Sequence, residues 1–211
     1  MTNSLRIRPI AGALGAEIGG VDLARELDGN TIAAIRRAWL DHLVVFFRGQ
    51  PLTPERFLAF ARRFGEAVEY PFIKGVDGFP EITPVVKLER ERVNFGGLWH
   101  SDIAYLERPP MGTMLIAREL PPYRGDTLFA NMYRAYESLS PGMQRLLDGF
   151  VAVNSSVKAT SRRPAKTVFA TVLAPMRSAK TRLGIPWFAP IPRPGGKRST
   201  SMAPIRCASR T

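Results

Sequence analysis

Leu98-Trp99-His100-Ser101-Asp102 sets an imidazole and a carboxylate two residues apart. In an extended chain, residues i and i+2 project from one face, so His100 and Asp102 would point together at one site and could bind one metal ion. Two histidines and one carboxylate on one face of a metal leave its other positions open, the geometry of non-haem Fe(II) oxygenases. A bare His-x-Asp also arises by chance, and its bland reading is a surface or core-edge histidine beside an acid. The chain has one further histidine, His42, which follows an apolar helical pattern and reads as structural.

The elements that must hold this pair are legible from turn residues and apolar periodicity. Residues 5–9 and 16–23 are predicted strands, the second interrupted by Gly19-Gly20. Asn30 is expected to cap a helix running to about Asp41, with Ile32, Ile35 and Trp39 on one face. Residues 43–47 read as a buried strand. Thr53 followed by Pro54 starts a second helix, whose face is Phe57, Phe60, Ala61 and Phe64 and whose end is Gly65. Further strands are predicted at 82–87, 112–117 and 127–130, and helices at 132–139 and from Ser140-Pro141 to Gly149. Mixed short strands with early helices predict an α+β fold, with helices packed on an antiparallel sheet or barrel.

A net charge of +12 and a pI near 10.7 would suggest nucleic acid or an anionic surface as partner. The charge sits at one end. Residues 159–211 hold eleven of the thirty Lys and Arg residues and no Asp or Glu, which leaves residues 1–158 nearly neutral. Two regions follow: 1–158 as the globular part and 159–211 as a disordered basic tail, rich in Pro, Ala, Ser and Thr. Phe169, Trp187 and Phe188 are that tail's few aromatics, so no specific nucleic-acid binding is expected. No apolar run approaches the roughly 20 residues of a membrane span, and the N-terminus lacks the apolar core of a secretory signal. With Cys207 alone, no internal disulfide can form. A cytoplasmic protein with no membrane partner is the expectation.

The residues around the His-x-Asp pair resemble the taurine dioxygenase family, which includes the 2,4-dichlorophenoxyacetate dioxygenases. The likeness runs through Gly15-Ala16-Glu17-Ile18, His42-Leu43-Val44-Val45-Phe46-Phe47-Arg48, Trp99-His100-Ser101-Asp102, Glu119-Leu120-Pro121-Pro122 and Gly125-Asp126-Thr127-Leu128-Phe129, and ends near Lys158. It implies a jelly-roll-like double-stranded β-helix with flanking helices, incomplete here. It also implies Fe(II) as cofactor, with 2-oxoglutarate and O2 as co-substrates, and hydroxylation of a small organic acid or sulfonate. His100 and Asp102 would be iron ligands, and Thr127 would bind the distal carboxylate of 2-oxoglutarate. Tyr70 falls where taurine dioxygenase has a substrate-contacting histidine, and Gly96 where the family has a pocket asparagine. Taurine itself is therefore not the expected substrate. The family's second iron-binding histidine and its oxoglutarate-pairing arginine have no counterpart in this chain, so the alternative is a truncated, inactive remnant; in a full-length form, homo-oligomerisation is open.

Residues 159–211 also fit a family sequence read in a shifted frame. With one G restored after the Lys158 codon, codons for 185–206 can encode His-Pro-Val-Val-Arg-Thr-His-Pro-Glu-Thr-Gly-Arg and onward, which resembles the family's continuation. A one-base deletion near codon 159 is the expectation, and resequencing the gene there decides it.

Overall fold

The structure is a computed structural model that describes residues 5–90, 99–123, 125–148, 150–155, 182–186, 189–190, 200–201 and 205–207. It divides into two units, the first taking in residues up to Val68 together with Asp77–Ile82, the second Glu69–Val76 and the chain from Thr83 onward.

In the first unit, β1 (Arg6–Pro9) pairs antiparallel with β2 (Ala16–Gly19), with Ile7 opposite Ile18 and Arg8 opposite Glu17. The connection turns at Gly15, whose φ is +97°. A Cβ there would stand 3.0 Å from Ile10 Cγ1, so both backbone and space call for glycine. The α1 helix (Gly29–His42) then carries the chain to β3 (Val45–Phe46), which pairs parallel with β2. The sheet order is β1-β2-β3. Parallel neighbours need a crossover of this kind, and it replaces the purely antiparallel sheet expected from the sequence.

Local chemistry explains where α1 begins and ends. Asp28, not Asn30, is its N-cap: the carboxylate accepts from the Thr31 amide at 2.7 Å and the Thr31 hydroxyl at 3.1 Å. A charged acceptor two residues earlier satisfies an orphan amide and meets the positive end of the helix dipole. At the other end Leu43 has φ +66° and donates its amide to Trp39 O, so the strand expected over 43–47 shrinks to two residues. Ile32, Ile35 and Ala38 face the core. The α2 helix (Pro54–Arg62) starts as read from the sequence, with Thr53 accepting from the Arg56 amide. Trp39, Phe47, Phe60 and Phe64 meet edge to face, with centroids 5.2 to 6.2 Å apart. The Gln50 side chain accepts from Leu23 N and donates to Val21 O, which fastens the loop after β2.

The Asp28 cap has a pH signature. The Thr31 amide above all, then its hydroxyl, holds the Asp28 carboxyl below its ordinary value of 3.8. The Arg63 guanidinium, bonded to the adjacent Leu27 carbonyl, acts in the same direction. A value depressed in the folded state gives stabilisation that is present above the ordinary value and is lost as pH falls through the folded one. Asp28→Asn keeps a capping acceptor and removes the titration. Its melting temperature should therefore fall less than wild type between pH 7 and pH 3. Parallel losses in the two proteins would contradict the assignment.

In the second unit, β4 (Leu128–Ala130) leads into α3 (Met132–Glu137), capped by Asn131, and α4 (Pro141–Asp148). Gln144 ties the two helices by donating to Tyr136 O at 3.1 Å and Leu139 O at 3.2 Å. β5 (Val151–Ser155) pairs antiparallel with β6 (Arg182–Pro186), β7 (Ala189–Pro190) with β8 (Thr200–Ser201), and β4 with β9 (Ile205–Cys207).

Three expectations need correction. Segments 82–87 and 112–117 form no strand: Val85 and Val86 are more than half exposed, and β-prone residues make strands only when a neighbour pairs with them. Within 159–211, expected to be disordered, the described residues 182–186, 189–190, 200–201 and 205–207 form β6 to β9, because ladder bonds come from the backbone and need no apolar period. Residues 156–181, where the tail was expected to begin, lie outside the described residues. The fold class is thus mixed sheet and helix, without a continuous antiparallel barrel among the described residues. No helix among them is long and apolar enough to cross a membrane.

Candidate metal centre

His100 and Asp102 meet in the second unit, though not on one extended strand. His100 forms an isolated β-bridge, and Asp102 opens a turn over residues 102–105. His100 Nε2 lies 3.2 Å from Asp102 Oδ1, both side chains being about one-third exposed. The turn is abrupt. Ile103 has φ +49°, a left-handed conformation that a β-branched residue rarely adopts and that costs about 1–3 kcal/mol, and Leu106 donates its amide to Ile103 O. The second carboxylate oxygen, Asp102 Oδ2, accepts a 2.7 Å hydrogen bond from Thr113 Oγ1.

The pair fits a metal. An octahedral ion with ligand bonds of about 2.1 Å holds neighbouring donors about 3.0 Å apart, close to the separation found. An imidazole with one carboxylate oxygen matches two of the three donors of an iron facial triad. No third His, Cys, Asp or Glu joins them among the described residues.

An aromatic row stands beside the pair. Tyr70 packs edge to face on Phe72 with centroids 5.6 Å apart, and Phe72 lies against Tyr105 at 5.8 Å. Burial pushes the Tyr70 phenol above its ordinary value, and the Asp102 charge adds to this. Burial, then the neighbouring Tyr70, raises Tyr105 strongly. Both phenols are therefore protonated donors at neutral pH. Tyr105 Oη is buried and meets no hydrogen-bond partner of adequate geometry among the described residues, an arrangement that costs on the order of 1–3 kcal/mol unless something accepts from it.

The other expected residues are placed less closely. Thr127 is exposed immediately before β4, after a turn at Gly125 (φ +82°), and no described hydrogen bond or ion pair joins it to the metal pair. Trp99, next to His100 in the sequence, is exposed. His42 belongs to the first unit, where its carbonyl accepts from Gly15 N and Val44 N. Gly96 lies outside the described residues. Sequence reasoning passed over Thr113, Phe72 and Tyr105. Thr113 looked like a strand residue, and the one available signal for Tyr105 was its position three residues past Asp102.

The profile of the Taurine catabolism dioxygenase TauD, TfdA family matches residues 6–184. The chain belongs to the TauD/TfdA family. Among this TauD/TfdA chain's curated relatives is the alpha-ketoglutarate-dependent sulfate ester dioxygenase of Pseudomonas putida, 37% identical over 153 residues that make up 72% of this chain and 50% of that protein. An alkylsulfatase of Acinetobacter baylyi is 35% identical over 74% of this chain and 48% of its own length. The 2,4-dichlorophenoxyacetate dioxygenase of Cupriavidus pinatubonensis is 34% identical over 71% of this chain and 58% of its own length. A solved taurine dioxygenase from Burkholderia xenovorans superposes with a TM-score of 0.67 at 29% identity, over 96% of this chain and 65% of that one. AAD-2 in complex with Mn(II) and N-oxalylglycine superposes at 0.68 with 21% identity, which shows a shared fold. The TauD/TfdA chain spans about half the length of the curated relatives it matches.

Proposed function

We propose that this chain supplies two iron ligands and a substrate-facing aromatic row to an Fe(II)- and 2-oxoglutarate-dependent dioxygenase that hydroxylates a small organic acid or sulfonate, sulfate esters included. The observation that carries the reading is the 3.2 Å approach of His100 Nε2 to Asp102 Oδ1, close to the spacing of neighbouring donors on an octahedral ion. Family membership and the names of the sulfate ester and phenoxyacetate dioxygenases among the relatives support the substrate class.

When bound, Fe(II) with 2-oxoglutarate supplies the O2-dependent oxidation of an unreactive carbon. His100 and Asp102 hold the ion on one face, and Thr127 receives the distal carboxylate of 2-oxoglutarate. Tyr70 and Phe72 offer an apolar wall to the substrate's carbon skeleton, and the Tyr105 hydroxyl beside them is a donor for a substrate oxygen. The complete catalytic domain in this reading is a jelly-roll-like double-stranded β-helix in the cytoplasm, with residues 1–158 as its N-terminal part.

A second reading has its own support. The chain contains only two histidines, His42 and His100, and no third His, Cys, Asp or Glu joins His100 and Asp102 among the described residues. On that reading the 211-residue protein is an inactive remnant. Anaerobic Fe(II) titration followed by succinate release from 2-oxoglutarate, with an alkyl sulfate or a phenoxyacetate present, separates the two. Weak iron binding without succinate is the expected result for the isolated chain. Stoichiometric binding with substrate-dependent succinate would exclude the remnant.

A further inference from the structure

We propose that Thr113 is a positioning residue of the metal centre, holding the Asp102 carboxylate so that Oδ1 alone faces the ion. The proposal rests on the reading of His100 and Asp102 as ligands. The terminal torsion of an aspartate is broad and roughly two-fold, so a carboxylate at a metal can turn either oxygen inward or offer both. Here the two oxygens are engaged separately, Oδ1 facing His100 Nε2 at 3.2 Å and Oδ2 accepting from Thr113 Oγ1 at 2.7 Å. Two constraints from different parts of the chain meet at Asp102. The left-handed Ile103 fixes its backbone from the following residue, and Thr113, eleven residues on, fixes its head group.

The coordination chemistry gives the clamp its consequence. A chelating carboxylate takes two positions on an octahedral ion, whereas a single oxygen takes one. With His100, a third protein ligand and a chelating keto acid to accommodate, a two-oxygen Asp102 would fill the position an incoming O2 needs. Thr113 therefore keeps a coordination position open as well as orienting a ligand. Partners of this kind, bonded to a ligand and not to the metal, typically affect metal affinity by about 10–100-fold.

The test uses Mn(II) alone, titrated into the whole 211-residue protein, with free ion read by electron paramagnetic resonance and coordinated water by proton relaxation. Thr113→Val, nearly isosteric at an exposed position, is expected to bind Mn(II) about 10-fold more weakly and to lose a coordinated water. Thr113→Ser keeps the hydroxyl and should match wild type in both respects. Far-ultraviolet circular dichroism and melting curves should be the same for all three. If Thr113→Val binds like wild type, or Thr113→Ser is as impaired as Thr113→Val, the positioning role is overturned while the ligand assignment stands. If wild type binds no better than His100→Ala, the metal reading falls and this proposal falls with it.

Discussion

His100→Ala should reduce Mn(II) or Fe(II) affinity by more than about 100-fold, because a residue that bonds only to a ligand already accounts for about 10–100-fold. The expectation follows from how few donors meet at the site. With Nε2 removed, Asp102 Oδ1 is left as the single inward-facing protein donor described there. A lone carboxylate competes poorly with water for a divalent ion. The His100 ring is partly exposed, so removing it leaves no large cavity and the protein should stay folded. Isothermal titration at fixed pH reads the loss. Undiminished binding in His100→Ala would move the metal elsewhere and remove the basis for the proposed function.

Ile35→Ala is the substitution expected to cost most in stability. Ile35 is 1% exposed on the inner face of α1, and truncating a buried isoleucine costs about 2–5 kcal/mol through lost burial and the cavity left behind. Against a typical total of about 5–15 kcal/mol, that is a large share. Urea unfolding is well suited to the measurement because Trp39, on the same helix, packs on Phe64 and donates its indole N–H to Leu43 O. Its fluorescence should report loss of the first unit at markedly lower urea than in wild type. Ile7→Ala, at a position 43% exposed on β1, should change stability by less than about 1 kcal/mol. Equal effects at the two positions would place the core elsewhere.

These contrasts follow what the sequence could and could not reveal. Thr53-Pro54 announced α2 because capping is a contact between residues three apart, entirely local. His100 and Asp102 were legible for the same reason, although a bridge and a turn, not one strand, bring them together. Residues 112–117 misled because their β-branched texture describes a strand's preference and says nothing about a neighbour to pair with. Thr113 within that stretch has its contact at Asp102, eleven residues away. Tyr105 and Tyr70 meet over a still longer separation, and only the folded chain shows the two phenols buried beside each other. The parallel β2–β3 pairing was equally hidden, since alternation along a strand fixes its faces and leaves its direction open.

That β2–α1–β3 crossover also sets an order of events during synthesis. The sheet of the first unit closes within residues 6–46, and its last ion pair, Arg62 with Glu81, needs nothing beyond residue 82. Contacts of short sequence separation form quickly, and the ribosome adds roughly 5–20 residues each second. The first unit therefore has a head start on the order of seconds before Thr113 emerges to close on Asp102. Metal capture should come late in the chain's history, onto a nascent protein whose leading unit is already in place.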